Sequence, residues 1–430
     1  MAAATCTLLG CDEPAPTPAS GSYSFTVVAS LGDRVPDSGV LTNDFEPFSL
    51  TERDEVGFGA DLATGGEGVF VWREGRLTTL AAPGMAAPRG GTFAGYFLSN
   101  IIVNESGDVV FVQSLQPKAA IVGLNAGLYR YTRRTETLAA VMRPGDPAPG
   151  GGAFQGVGLA AHQNALGAIA SPGVIPAEVG PGQGAHVGQG LFLADADNRI
   201  TALGRPGDPA PGGDTFDWFG NGWINEHGDV AFNAHPARAP CIRFTMTVPP
   251  EPSLFCAAGV FLRRADTREV IAIAPLEGPA PGGGTFHFAY TDGINNRGDV
   301  AFVAAVGPAG SGPDARGYAY GGFLYTDGQT VAVARPATPM PGGGRMYTAA
   351  EVNYNLRVND HGDVYFAATL DTDDNHDGAR DTGVYRWSRG ALRLVVRTGT
   401  VLPGVGTVAQ LKAPALLMST FATAGAVANN

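Results

Sequence analysis

The chain has 430 residues, 44% of them hydrophobic, and a formal net charge of −12, so it can bury a sizeable core but carries few charges to spend on partners. Its lysines are confined to Lys118 and Lys412, and no cluster of basic residues could hold a phosphate backbone, which excludes nucleic acid as an expected partner. No run of apolar residues approaches the length of a membrane-spanning helix.

Residues 1–21 form a separate leading segment, MAAATCTLLGCDEPAPTPASG. Leu8-Leu9-Gly10-Cys11 resembles the lipobox of bacterial lipoproteins, in which the cysteine becomes the lipidated N-terminus, and a Pro/Ser/Thr-rich tether follows it. The ten residues before Cys11 contain no Lys or Arg, unlike a secretory signal, and a start codon placed too late would account for that. The competing reading is a chance match of four residues. If the lipobox holds, the protein is exported to the cell envelope or cell surface and touches a membrane only through its lipid anchor.

From residue 22 to residue 430 the chain is a repeat. Asn104-Glu-Ser-Gly-Asp-Val-Val-Phe111 returns as Asn225-Glu-His-Gly-Asp-Val-Ala-Phe232, as Asn295-Asn-Arg-Gly-Asp-Val-Ala-Phe302 and as Asn359-Asp-His-Gly-Asp-Val-Tyr-Phe366. Weaker copies begin at Thr51, Asn164 and Ala422, giving a period of about 62 residues. NxxG reads as a tight turn, with Asn capping it and Gly at positive φ before the chain re-enters a strand. DVAF and the later GVFL runs alternate with period two, as half-buried strands do. A β-branched run such as Val270–Ala274 or Thr330–Ala334 follows, then a Pro/Gly loop such as Pro144–Gly152 or Pro279–Gly284.

Each period therefore predicts four strands: A before NxxG, B from it, C at GxFL and D at the β-branched run. Repeated without helical patterns between them, these describe an all-β propeller of about seven four-stranded blades. A strand near Ser22–Ser30 is expected to complete the blade of the last copy, closing the ring from both ends of the chain. A linear β-solenoid is the competing fold, although its coils usually need a shorter period.

The NxxG copies resemble the bacterial choice-of-anchor tandem repeat NxxGxxAF-containing proteins across residues 22–430, with departures at Thr51 and Asp54, at Ser171, and at Ala422 and Asn429. Membership implies an exported, tethered protein and no particular chemistry.

Features present in every blade read as architecture, and features found once read as candidate sites. By that rule Arg143, Arg205, Arg335 and Arg397, with Asp146 and Asp208, brace or cap the Pro/Gly loops. Insertions fall between strands B and C at 172–189, 236–258, 305–321 and 371–382, so variable material gathers on one face, where binding loops on a rigid scaffold belong. Cys241 and Cys256 bracket one insertion, as a disulfide-closed hairpin would in an oxidising compartment; two unrelated thiols are the alternative.

In another insertion Asp373, Asn375, Asp377 and Asp381 have the DxNxDGxxD spacing of oxygen ligands for Ca²⁺. Val384 stands where an EF-hand would place its closing Glu, so the ion would be structural; a solvated acidic loop is the alternative. Trp218 and Trp223 could stack on a sugar or pack between blades. No HExxH, GxSxG or phosphate-binding loop is present, although separate blades could bring carboxylates such as Asp217 and Glu351 to the channel.

The expectation is thus a monomeric, non-enzymatic binding module that meets a protein or glycan partner through the B–C loop face. The alternative is an extracellular metal-assisted hydrolase or lyase with its site at the channel mouth.

Overall fold

The computed structural model describes residues 28–408 except 52, 98–100, 118–124, 159–160, 177–187, 240, 246–251, 257, 309–318, 348–355, 377 and 403–405. Among the described residues there are strands and no helices. Six antiparallel sheets follow one another along the chain, each in the order A-B-C-D from the axis outward. Blade one contains Gly39–Leu50, Val56–Leu62, Glu67–Arg73 and Arg76–Ala81. Blade two contains Phe93–Phe97 with Ile102–Val103, then Val109–Leu115, Ala126–Thr132 and Thr137–Met142. Blade three contains Gly156–Val157 with His162–Gln163, then Ile169–Ile175, Gly188–Ala194 and Ile200–Gly204.

In blade four the strands are Asp214–Ile224, Val230–Pro236, Gly259–Arg263 and Val270–Ala274. Blade five has Thr285–Ile294, Val300–Gly307, Ala319–Thr326 and Gln329–Ala334. Blade six has Arg357–Val358, Val364–Thr369, Thr382–Ser388 and Ala391–Arg397. The sheets form a ring, a β-propeller. Trp223 of blade four touches His162 of blade three and Arg357 of blade six, which requires the A strands to converge on a common axis.

The count of about seven blades is corrected to six among the described residues. Six of the seven motif copies carry a four-stranded sheet. The seventh, at Ala422, lies outside the described residues, as does most of the strand expected at Ser22–Ser30, whose described residues 28–30 are not in a strand.

Four letters of the motif, Asn, Gly, Asp and Phe, have a physical task. The Oδ1 atom of Asn225 accepts the amides of His227 (3.1 Å) and Asp229 (2.9 Å), closing the turn. Gly228, at φ +83°, takes the left-handed position that a side chain would strain. Asp229 reaches across to the C–D turn, accepting from the Ala265 amide at 2.8 Å, and Asp108 does the same with Arg133 at 2.9 Å.

The final Phe packs on strand C. Phe111 stacks on Tyr129, Phe232 on Phe261 and Phe302 on Phe323, with centroids 5.5–5.7 Å apart. A ring from strand A (Phe93, Phe216 or Phe286) then meets the strand C ring edge-on at 4.9–5.3 Å. Such pairs are worth about 0.5–1.5 kcal/mol beyond their burial. The Gly of GxFL is demanded by the same rings: a Cβ at Gly127 would lie 2.7 Å from the Tyr129 hydroxyl. Blade three carries Ser171 at the Phe position and keeps only Phe154 against Phe192, edge-on at 4.8 Å. Most apolar clusters span two neighbouring blades, so the core lies between the sheets.

Candidate functional site

Because the strands of a blade alternate in direction, A–B and C–D turns lie at one end of the ring, and B–C and D–A loops at the other. The two ends are built differently. At the NxxG end the Asn side chains hand on from blade to blade. Asn104 Nδ2 donates to the Asn164 carbonyl (3.2 Å), Asn164 to Asn225 (3.0 Å), Asn225 to Asn295 (3.1 Å) and Asn295 to Asn359 (2.8 Å). A second chain runs beside it through the residue after each Asn. Ala165 N donates to Glu226 Oε1 (2.8 Å), Glu226 N to Asn296 Oδ1 (2.9 Å), and Asn296 N to Asp360 Oδ1 (2.8 Å).

At the opposite end the arginines do brace the loops. Arg143 Nη1 donates to the Pro88 carbonyl at 2.6 Å, Arg205 to Pro149 at 2.6 Å, and Arg335 to Pro281 and Gly283, both at 3.0 Å. Asp146 and Asp208 accept the amides of Arg143 (2.8 Å) and Arg205 (2.7 Å), capping the loops as expected.

Inside the NxxG end lies a layer in which every blade differs. The residue two before each turn is Ser49, Ile102, His162, Trp223, Gly293 or Arg357 in blades one to six. His162 stacks on Trp223 with centroids 3.4 Å apart, and the Arg357 guanidinium lies 4.5 Å from the Trp223 ring centre. Trp223 Nε1 donates to the Thr291 carbonyl at 3.1 Å, and Arg357 Nη1 to the carbonyls of Asp292 and Leu356. Gly293 contributes no side chain between those anchor points, so residues of blades four and six meet across blade five.

Burial, assisted by the positive charge of Arg357, drives the His162 pKa well below its usual value, so its imidazole is neutral. Burial pushes Asp292 up to about 7 against the pull of Arg357. The same burial lowers Arg357 to about 10, with Asp292 holding it up.

The other expected site residues are scattered. Trp218 is partly exposed, with its Cα opposite that of His235 and its ring over Gly220, where a Cβ would come within 2.7 Å of it. Only Trp223 of the two tryptophans belongs to the axial layer. Asp217 pairs with buried His235 (Nδ1 to Oδ1, 2.7 Å), and in blade five Glu277 pairs with buried His287 at 3.0 Å; Glu351 lies outside the described residues.

In the 371–381 loop, Asp381 is buried and turned inward. Its Oδ2 accepts from Thr372 Oγ1 (2.6 Å), the Asp374 amide (2.9 Å) and Arg397 (3.1 Å). Burial works to raise its pKa, but those donors and the Arg397 charge hold it below the usual carboxylate range. Asp373 Oδ2 accepts the Gly378 amide at 3.1 Å, Asn375 is exposed, and Asp377 lies outside the described residues. Among the described residues no three His, Cys, Asp or Glu side chains cluster as metal ligands.

Cys241–Thr245 and Pro252–Cys256 form a separate two-stranded sheet in which the Cα of Cys241 is opposite that of Cys256. Directly opposed residues of an antiparallel pair have Cα atoms about 4.5–5.5 Å apart, within the span a disulfide bridges. Cys11 lies outside the described residues.

The sequence profile of a family of unknown function, DUF7453, matches residues 17–306 and 253–417. No curated protein matches the chain. Among solved structures, TolB from Acinetobacter baumannii is 10% identical with a TM-score of 0.37, over 82% of this chain and 67% of that one. A polysaccharide lyase, PL25 ulvan lyase, is 10% identical with a TM-score of 0.44, over 85% and 87%. XC5397, a gluconolactonase from Xanthomonas campestris, is 12% identical with a TM-score of 0.33, over 77% and 84%.

Proposed function

We propose that this chain, which belongs to the DUF7453 family of unknown function, is an exported, surface-tethered binding module that meets a protein or glycan partner through its B–C loop face. One observation carries the reading: the insertions, including the hairpin Cys241–Cys256 and the 371–381 loop, all leave the same end of a ring whose opposite end is tied blade to blade. A rigid ring with variable loops at one end is the arrangement that presents a binding surface. Ca²⁺ held by the 371–381 loop, a Cys241–Cys256 disulfide and a lipid on Cys11 belong to the same reading.

The test is thermal melting of the full chain against a panel of polysaccharides, with calcium or chelator. A ligand preferring the folded state raises the melting temperature. The reading expects a shift with one glycan that disappears when residues 240–257 are replaced by a Gly/Ser linker. A shift untouched by replacing any of the insertions contradicts it.

A metal-assisted hydrolase or lyase is the second reading. It is favoured by the Asp217–His235 and Glu277–His287 contacts, since a carboxylate beside a buried imidazole is the makings of a general acid or base. Cleavage of the bound glycan, abolished in His235→Gln, would select it.

A further inference from the structure

The axial layer at the NxxG end holds polar atoms that no described residue satisfies. His162 Nε2, Thr291 Oγ1 and Arg357 Nη2 are all buried and have no hydrogen-bond partner among the described residues. Leaving one such atom unpaired costs about 1–3 kcal/mol, and native folds leave few. Here three of them come from blades three, five and six, on residues that already meet through Trp223.

We propose that this layer binds a small carboxylate, with one oxygen on Arg357 Nη2 and the other on His162 Nε2, beside the Trp223 ring. The site goes beyond the B–C face and does not rest on it. Charge favours an anion over water. Among the described residues the carboxyl that acts on Arg357 is that of Asp292, and its raised pKa leaves much of it protonated near neutral pH, so of these residues none gives the guanidinium a full counter-charge. The guanidinium is also held rather than free, since its Nη1 is fixed by the Asp292 and Leu356 carbonyls. Two donors then face the ligand, and a carboxylate has two acceptor oxygens to match them. The proposal places the proton of the neutral imidazole on Nε2, the tautomer that donates to the ligand. Trp223, Arg357, Ile102 and Val358 are partly exposed, so a ligand reaching the buried Nε2 and Nη2 atoms would enter past these side chains.

The experiment is calorimetric titration of the full chain at constant ionic strength with sodium acetate and with glucuronate, using glucose and chloride as controls. Saturable binding of a carboxylate, and of neither control, is expected. Arg357→Gln should weaken it at least roughly tenfold. Because Arg357→Gln leaves Asp292 without its cation and could impair folding, His162→Phe is the second variant. It keeps an aromatic ring on Trp223, removes Nε2, and should weaken binding roughly tenfold with the melting temperature nearly unchanged. Tighter glucuronate than acetate would support the site with a sugar acid as its source, and equal affinities would support it with a simple carboxylate. No saturable heat with either carboxylate, or binding that survives both substitutions, would overturn the proposal.

Discussion

The two ends of the ring solve the same problem, joining one blade's turn to the next, with different chemistry. At the NxxG end the links are Asn amides only 3–6% exposed, and they run unbroken from Asn104 to Asn359. At the Pro/Gly end the links are arginines, and two junctions do without them because Ala82 and Pro275 occupy the position. The difference is a matter of water. A missing partner inside the NxxG end strands a buried carbonyl and two turn amides, whereas a loop carbonyl without its arginine is served by solvent. Five of the six described blades keep the Asn, with Thr51 the exception, against four of six that keep the arginine, the direction expected where desolvation makes a vacancy costly.

Arg397 breaks the pattern in a way that tests it. It braces the loop end, yet it is 4% exposed and pairs with Asp381, which is 1% exposed. If burial sets the cost, Arg397→Ala should be the most damaging brace substitution, at about 3–5 kcal/mol, because it leaves Asp381 an uncompensated buried charge. Chemical denaturation measures it. Since the pair depresses the Asp381 pKa, its contribution is present at neutral pH and is lost as pH falls through that depressed value.

Asn295→Ala should cost about 2–4 kcal/mol by the same denaturation measurement, removing two accepted and two donated bonds from the core. Asn295→Asp sharpens the comparison. It keeps the turn acceptor but loses the donors to the Asn359 carbonyl and to Asp299 Oδ2, and it places a carboxylate beside Asp299, so it should approach the alanine cost as pH rises.

Asp292 carries the opposite pH sign from Asp381. Its folded pKa, about 7, lies above the unfolded value, so its stabilising contribution is complete in acid and is lost as pH rises through 7. Asp292→Asn should therefore stabilise the fold by about 2–4 kcal/mol at pH 8 and by about half as much or less at pH 5, as melting curves at the two values would reveal.

The smallest effects belong to the less buried braces. Arg335→Ala should cost about 1 kcal/mol, and Pro275→Arg, which offers the absent brace, should change stability by less than about 0.5 kcal/mol.

Much of this was legible in the sequence. The period, the four strands per blade, the turn at NxxG with its positive-φ glycine and the arginine braces all follow from recurring letters. The relay between Asn side chains was not, because one blade read alone shows an Asn capping its own turn and leaves its Nδ2 unassigned. The axial layer was half legible. Trp223 stood out together with Trp218 as a candidate aromatic, but His162 and Arg357 sit in a position that carries no repeated letter. Aligning the residue two before each Asn, where Ser, Ile, His, Trp, Gly and Arg succeed one another, is the signal that brings them together. Asp381 had the spacing of a cation ligand, and spacing alone could not reveal that its carboxylate folds inward onto Arg397 at the end of the neighbouring strand.

Amide hydrogen exchange tests the central claim most directly. The amides of Asp229 and Asp299, which donate to buried Asn oxygens, should exchange only through global unfolding, far more slowly than the amides of the Pro/Gly loops at the other end. Equal exchange at the two ends would contradict the account, because the NxxG end would then not be the buried seam that holds the ring together.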